Sequence, residues 1–159
     1  MKQWLQPSPF GDVTVVVSAH GVREISLPGD DQPDGELGAA DARVKRQLHE
    51  WFAGKRHEFD FMIDLEGVDG FRRTVLETLA VEVGWGEIVT YGELAGMAGR
   101  PRAARAVGSA MRDNPLPFVI PCHRVVAAGG RIGGYGGGRN AVALKRKLLE
   151  REGVTGLRA

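Results

Sequence analysis

The residues with the clearest chemical potential are Cys122, His123 and Arg124, which lie side by side in the run from Pro121 to Val126. A cysteine attacks an electrophile as its thiolate, and positive charge on a nearby histidine or arginine lowers the pKa of a thiol toward neutrality. The same cysteine could instead be a small buried hydrophobic residue, because free cysteines are among the most buried residue types. Adjacency alone leaves both interpretations open.

Cys122 is the only cysteine in the 159 residues. One thiol cannot form an internal disulfide or a cysteine-rich zinc site, and this pattern is typical of a reducing compartment. The first residues, Met1 to Leu5, lack the apolar run of a secretion signal, and no segment approaches the ~20 apolar residues of a membrane span. With 43% hydrophobic residues, the sequence predicts a soluble, cytoplasmic protein with a substantial core.

The net charge of +1 conceals two oppositely charged halves. Residues 1–69 carry 7 basic and 13 acidic side chains, whereas residues 70–159 carry 14 and 7. Between residues 96 and 139 only Asp113 opposes a set of seven arginines, and such a field attracts phosphates. A solvated basic face is the alternative explanation. The arginines are Arg100, Arg102, Arg105, Arg112, Arg124, Arg131 and Arg139.

The N-terminal half has the pattern of a small sheet with one helix. Residues Val13–Ser18 and Arg23–Leu27 predict β-branched strands on either side of a turn. Helical spacing follows from Val44 to Phe52, and the alternation from Glu58 to Asp64 predicts a further strand. This half contains no recognisable catalytic cluster, so we interpret it as a scaffold.

The second half changes to helical patterns. Phe71 to Val83 predicts a helix, which suggests a domain boundary near residue 69. Thr90 and Glu93 have capping-box spacing for a short helix over Tyr91–Met97.

A second short helix is predicted from Pro101 to the stop at Asn114. Two short helices joined by a tight turn suggest a helix-turn-helix, whose second helix is the one usually presented to DNA. Arg102, Arg105 and Arg112 fall on that second helix. Its many small residues would allow close approach to a groove, or equally tight packing between helices.

The segments around the thiol complete the pattern. Phe118 to Ile120 predicts a strand-like edge that delivers Cys122, and Gly133 to Gly138 predicts a loop around Tyr135. A final amphipathic helix leads to Glu152. Its expected inward residues are Ala141, Leu144 and Leu148.

The run from Asn114 to Val126, which contains Pro-Cys-His-Arg, resembles the methylated-DNA:protein-cysteine methyltransferases, also called alkylguanine-DNA alkyltransferases. The resemblance covers approximately residues 71 to 153, in the order and approximate spacing of that family. Further matching segments are Thr90 to Ala95, Ala103 to Gly108, Gly134 to Gly138, and Leu148-Leu149 ahead of Glu152-Gly153.

The resemblance implies an α+β fold with two domains. Residues 1–69 would form a scaffold of a small β-sheet plus a helix, ribonuclease H-like or ferredoxin-like. Residues 70–159 would form a mostly helical, winged helix-turn-helix-like domain that binds DNA and carries the alkyl acceptor.

The implied activity is DNA repair by stoichiometric, irreversible transfer of an alkyl group from 6-O-alkylguanine to Cys122, with 4-O-methylthymine as a second candidate substrate. No cofactor or metal is expected. The implied partner is alkylated double-stranded DNA, with no membrane, and we expect a monomer; cooperativity on DNA stays open.

Each matching position acquires a role from the resemblance. Cys122 would be the acceptor, and His123 would take its proton through a bridging water, oriented by Glu152. Asn114 would brace the turn near the thiolate. Tyr91 would donate its hydroxyl proton or a hydrogen bond to the departing guanine.

Arg105 would enter the duplex in place of an extruded nucleotide, with the second helix in the minor groove. Gly136 stands where some relatives have a hydroxyl residue, so that hydrogen bond is lost. Glu150 competes with Glu152 for the orienting role. The remaining expected DNA contacts are Ala104, Ala106, Gly108, Arg102, Arg112 and Arg124, and the expected base-pocket residues are Tyr135, Gly136 and Gly137.

Two other functions use the same residues. A cysteine hydrolase with Cys122, His123 and Glu152 explains the triad but leaves the arginine-bearing helix without a purpose. A lesion sensor or transcription regulator that binds without chemistry explains the helix but leaves the thiol unused.

Overall fold

The computed structural model describes residues 1–135 and 141–159. These residues form five α-helices and two small β-sheets, which confirms the expected mixture of helix and sheet. Their contacts group into two units. The first comprises Met1–Glu66 and Pro115–Pro117, and the second comprises Gly67–Asn114 and Phe118–Ala159.

The first unit contains an antiparallel sheet of order β1-β2-β3, with β1 at Lys2–Gln6, β2 at Val13–Ser18 and β3 at Gly21–Ile25. Five of the six residues of β2 are buried, because this central, valine-rich strand is covered on both faces. Strand β2 has the predicted bounds, β3 lies two residues earlier than the predicted Arg23–Leu27, and β1 is an additional edge strand.

The predicted strand over Glu58 to Asp64 is wrong. Only Ile63 forms a bridge, to Val22. The backbone amide of Asp60 instead donates to the side chain of Gln47 at 3.0 Å. This amide is therefore not available for the backbone hydrogen bond that pairing with a neighbouring strand would require.

Helix α1 spans Ala42–Phe52, as the spacing predicts. Asp41 caps its start by accepting a hydrogen bond from the amide of Val44 at 3.1 Å. Its buried side chains include Val44, Leu48, Trp51 and Phe52.

The second unit begins with helix α2 at Gly70–Glu82, which buries Val75, Leu76 and Leu79. Strand β4, Val89–Thr90, leads into helix α3 at Tyr91–Met97. The predicted capping box is confirmed: Thr90 accepts from the amide of Glu93, and the Glu93 carboxylate accepts from the amide of Thr90.

Helix α4 spans Ala104–Arg112, three residues later than the predicted start at Pro101. Pro101 and Arg102 lie in the turn between α3 and α4, so the placement of Arg102 on the helix is wrong. The amide of Ala103 donates to the carbonyl of Arg100 at 3.0 Å, and this turn uses the residues that would have formed the first helical turn.

The reactive segment is a turn, which corrects the predicted strand-like edge. Cys122–Arg124 form one turn of 3₁₀-helix, followed by strand β5 at Val125–Val126. Strand β5 pairs in parallel with β4, and Val89 lies opposite Val125.

Helix α5 spans Ala141–Arg151 and buries Ala141, Lys145, Leu148 and Leu149. Ala141 and Leu148 face inward as expected, whereas Leu144 is only half-buried. Throughout the two described ranges, no helix has the length and apolar character needed to cross a lipid bilayer.

Candidate functional site

The thiol of Cys122 is buried within its 3₁₀ turn, with 5% of the residue exposed. The turn is fixed by two hydrogen bonds to one carbonyl. The Cys122 amide donates to the Ile120 carbonyl at 2.7 Å, and the Asn114 side chain donates to the same oxygen at 2.9 Å. Asn114, just beyond the end of α4, is therefore hydrogen-bonded to the reactive turn, which carries the candidate nucleophile.

Burial raises the pKa of the Cys122 thiol. A hydrogen bond with Asn114, the positive charge of Lys145 and a hydrogen bond with Tyr135 act in the opposite direction without overcoming it. His123 and Arg124 adjoin the thiol in sequence but are not among the main groups that lower this pKa. The thiol is protonated at rest, so a nucleophilic role requires a base to take its proton.

The carboxylate of Glu152 contacts this turn through His123. It lies just beyond α5, and its Oε2 is 2.6 Å from Nε2 of His123. Arg124 donates to Glu152 through Nε at 2.8 Å, and the amide of Gly86 donates at 3.0 Å. Glu150 is exposed, so the geometry favours Glu152 as the orienting residue.

The pair of His123 and Glu152 is set up to accept a proton. Burial opposes ionisation of Glu152, but hydrogen bonds from His123 and Arg124 and the charge of Arg124 act against it, and the pKa of Glu152 is lowered to about 2. Burial lowers the pKa of His123, and Glu152 opposes this only in part. A neutral imidazole that donates from Nε2 to the carboxylate has Nδ1 as its basic nitrogen.

Arg124 is buried, whereas a contact with DNA requires an exposed side chain. Its side chain is 6% exposed and forms an ion pair with Glu152. It also donates to the carbonyl of Val83 at 2.9 Å, at the end of α2. The expectation that Arg124 contacts DNA is wrong, because its donors are engaged inside the second unit.

A half-open pocket of about 330 Å³ lies over the thiol. This is near the lower end of the ~300–1,000 Å³ typical of small-ligand sites. Its walls are formed by residues from α3, α4, the reactive turn and the segment that ends at Tyr135. The lining residues are Tyr91, Arg105, Gly108, Ser109, Met111, Arg112, Cys122, Gly134 and Tyr135.

Tyr91 contributes a hydroxyl group to this pocket. The hydroxyl donates to the Gly134 carbonyl at 3.4 Å. Burial, followed by proximity to Cys122, raises the pKa of Tyr91, so the phenol keeps its proton. Tyr91 can therefore act as a hydrogen-bond or proton donor to a ligand beside the thiol.

Helix α4 presents the small and basic residues predicted from the sequence. Arg105, Ala106 and Arg112 are exposed, and Ala104 and Gly108 are half-buried. Arg105 and Arg112 reach the pocket over Cys122, whereas Arg102 is exposed in the preceding turn.

Two predicted base-pocket residues, Gly136 and Gly137, lie outside the described residues. The third, Tyr135, is buried and lines the pocket together with Cys122.

Lys145 is a site residue that the sequence prediction missed. It is fully buried and donates to the carbonyls of Val125 and Gly134. Its spacing was a usable signal, because Lys145 falls four residues after Ala141 and three before Leu148, on the inward face of α5.

Comparison with known proteins places this site in a family. A family model described as "6-O-methylguanine DNA methyltransferase, DNA binding domain" matches residues 70–154. The methylated-DNA–protein-cysteine methyltransferase of Mycobacterium bovis is 48% identical over 106 residues, which make up 67% of this chain and 61% of that protein. The protein of the same name from Cricetulus griseus is 55% identical over 86 residues, 54% of this chain and 40% of that protein. The chain thus matches less than two thirds of the length of either relative.

Solved structures are similar over nearly the whole chain. The O6-methylguanine methyltransferase of Mycobacterium tuberculosis has a TM-score of 0.82 at 34% identity, covering 95% of this chain and 92% of that one. The Mycobacterium tuberculosis OGT in complex with DNA has a TM-score of 0.83 at 35% identity, covering 96% and 93%. The family match and these structural similarities agree, and the chain belongs to the 6-O-methylguanine DNA methyltransferase family.

Proposed function

We propose that this protein repairs DNA by moving the alkyl group of a 6-O-alkylguanine onto Cys122, once per molecule. The observation that carries the proposal is the arrangement around the thiol: His123 paired with Glu152 on one side, and a pocket with Tyr91 and Arg105 on the other. The names of the relatives, and the complex of one with DNA, support the same substrate.

In the proposed reaction His123 accepts the thiol proton through a bridging water. The Cys122 sulfur attacks the alkyl carbon, a carbon–sulfur bond forms, and the bond from that carbon to the guanine oxygen breaks. Its electron pair passes to the guanine, and Tyr91 supplies a proton or hydrogen bond to this leaving group. The thioether product has no good leaving group, so no second cycle follows and no cofactor is required.

The damaged base must leave the helix to reach a buried sulfur, because the guanine 6-oxygen lies in the base-paired stack. We propose that α3 and α4 form the helix-turn-helix, with α4 in the minor groove and Arg105 filling the vacated position. Half-buried Ala104 and Gly108 and exposed Ala106 support close approach of α4 to DNA. Arg102 and Arg112 are exposed and suited to phosphate contacts.

We also propose the finer fold assignment that the resemblance implies. Residues 1–69 would serve as a ribonuclease H-like or ferredoxin-like scaffold, and residues 70–159 as a winged helix-turn-helix-like domain holding the reactive centre. The cytoplasm is the proposed location, since a reducing compartment keeps Cys122 as a thiol.

The test is the stoichiometry of transfer from duplex DNA that carries one 6-O-methylguanine. With DNA in excess, the proposal predicts loss of one methyl group from DNA per protein molecule and then no further reaction. Cys122→Ser should bind the duplex and transfer nothing, because a serine hydroxyl stays protonated and is a poor nucleophile. Sustained turnover of an ester substrate would support the hydrolase alternative, and binding of lesion DNA without methyl loss would support a sensor.

A further inference from the structure

A buried lysine stands next to the reactive turn. Lys145 has 0% of its surface exposed. Removing an ammonium group from water is costly unless hydrogen bonds or an opposite charge compensate it. A lysine retained in such a place on the inward face of α5 therefore needs a physical explanation.

The hydrogen bonds of Lys145 join the two segments that border the thiol pocket. Nζ donates to the carbonyl of Val125 at 2.6 Å and to the carbonyl of Gly134 at 2.9 Å. Val125 directly follows the 3₁₀ turn of Cys122, and Gly134 lines the pocket. Nζ also lies 5.9 Å from the centre of the Tyr91 ring.

Among the described residues, no acidic side chain neutralises the charge of Lys145. Within residues 1–135 and 141–159, its ammonium group forms no ion pair with a carboxylate, and the buried Glu152 pairs with His123 and Arg124. Burial lowers the pKa of Lys145 to about 8, and the charge on Cys122 acts in the opposite direction. The ammonium form therefore predominates at neutral pH, and it attracts the negative charge that Cys122 acquires when the thiol loses its proton.

We propose that Lys145 is a positioning residue for alkyl transfer, which ties the reactive turn to the pocket wall and stabilises negative charge on the Cys122 sulfur. This inference rests on the proposed function, because a thiolate is required only if Cys122 is the nucleophile. It adds an electrostatic partner to the proton acceptor, His123.

Other groups around Cys122 share the pocket and must be held constant in a test. Tyr91 of α3, Arg105 and Arg112 of α4, and Tyr135 of the pocket wall face the thiol from the other elements. Asn114 forms a neutral hydrogen bond with it, and the adjoining His123 and Arg124 are bound to Glu152.

The test compares Lys145→Met with Lys147→Met, a matched change at an exposed position on the same helix. The readout is the rate of Cys122 alkylation by iodoacetamide across pH, which requires no DNA. Loss of one nearby positive charge should slow this reaction about tenfold at neutral pH and move the whole pH profile upward, with recovery in alkali. Lys147→Met should follow the wild-type profile, and Lys145→Arg should restore most of it.

An unchanged pH profile in folded Lys145→Met would overturn the inference. If that variant does not fold, Lys145→Gln provides the second measurement, because its amide can still donate a hydrogen bond to a backbone carbonyl but carries no charge. The inference predicts the same upward shift of the pH profile in this variant, and an unshifted profile refutes it. Because neither experiment uses DNA, failure of DNA repair would be seen separately.

Discussion

Glu152 places its carboxylate 2.6 Å from Nε2 of His123, and neither side chain is exposed to solvent. The two residues are 29 positions apart, and the contact links the end of α5 to the reactive turn. Because the same carboxylate also binds Arg124 and the amide of Gly86, it fixes the imidazole while balancing a buried guanidinium group.

Glu152→Gln tests this arrangement. The amide keeps the shape but removes the charge, leaving buried Arg124 without its counter-ion, so we expect a loss of about 3 to 5 kcal/mol in the free energy of unfolding. Transfer should slow by about 100-fold or more, since His123 loses the group that makes it an effective base. Denaturant unfolding and single-turnover kinetics measure the two effects.

Glu150→Gln is the matched control for that change, because Glu150 is exposed two residues earlier. It should alter stability by less than about 0.5 kcal/mol and leave transfer unchanged. Equal effects of the two substitutions would show that Glu152 has no special role.

Much of this site could be predicted from the sequence because its residues lie in short, recognisable segments. The Thr90 to Glu93 capping box also follows from local spacing alone. Arg124 could not be assigned in the same way, since its partner Glu152 is 28 residues away and only the folded chain reveals that its charge is neutralised inside the protein.

Gly133→Ala should disturb Tyr91. Gly133 has φ of +75°, and an added Cβ would lie 3.1 Å from the Tyr91 hydroxyl oxygen and 3.2 Å from the Ala127 amide nitrogen. Because a shift of about 1 Å in a catalytic group can cost ~100-fold in rate, we expect transfer to slow by about 10- to 100-fold. Single-turnover rates on lesion DNA provide the measurement.

Gly130→Ala supplies the control, with φ of +77° and nothing within 4 Å of the added Cβ. Both substitutions carry a similar backbone cost of about 1 to 2 kcal/mol, so the difference in rate reports the contact with Tyr91. Matching rates in the two variants would argue against a positioned hydroxyl.

Arg105→Ala should impair base extrusion more than DNA affinity. The side chain is exposed on α4 and borders the pocket over Cys122. Extrusion costs a few kcal/mol, so losing a residue that fills the vacated space should slow transfer on duplex DNA by about 10- to 100-fold. Fluorescence anisotropy should show only a few-fold change in Kd.

Single-stranded DNA with the same lesion serves as the control, because its base does not have to leave a duplex. Arg105→Ala and wild type should react with it at similar rates. If wild type and variant also transfer equally fast on duplex DNA, Arg105 has no part in extrusion.

The free energy of unfolding should fall as the pH drops below neutrality. Burial lowers the pKa of His123 below its ordinary value of 6.5, so below that pH the unfolded chain binds a proton that the folded chain excludes. The Glu152 carboxylate, with a pKa of about 2 against 4.5, adds stability above pH 4.5 that is lost as the pH falls toward 2. Urea unfolding from pH 8 to 4 measures the trend, and stability that rises on acidification contradicts it.

The limits of sequence prediction here have physical causes. Glu58 to Asp64 alternates like a strand, yet Gln47 takes the amide of Asp60, and alternation does not encode that competition. Lys145 has the spacing of a core residue but a charge that normally stays in water, so its burial depends on carbonyls supplied by Val125 and Gly134.

As the proposed acceptor, Cys122 should hold the alkyl group permanently. Mass spectrometry of the peptide containing Cys122, after incubation with duplex DNA carrying 6-O-methylguanine, tests this most directly. We expect this peptide to gain the mass of one methyl group, in a one-to-one ratio with guanine restored in the DNA. An unmodified Cys122 peptide alongside repaired DNA, or a methyl group on another residue, would contradict it.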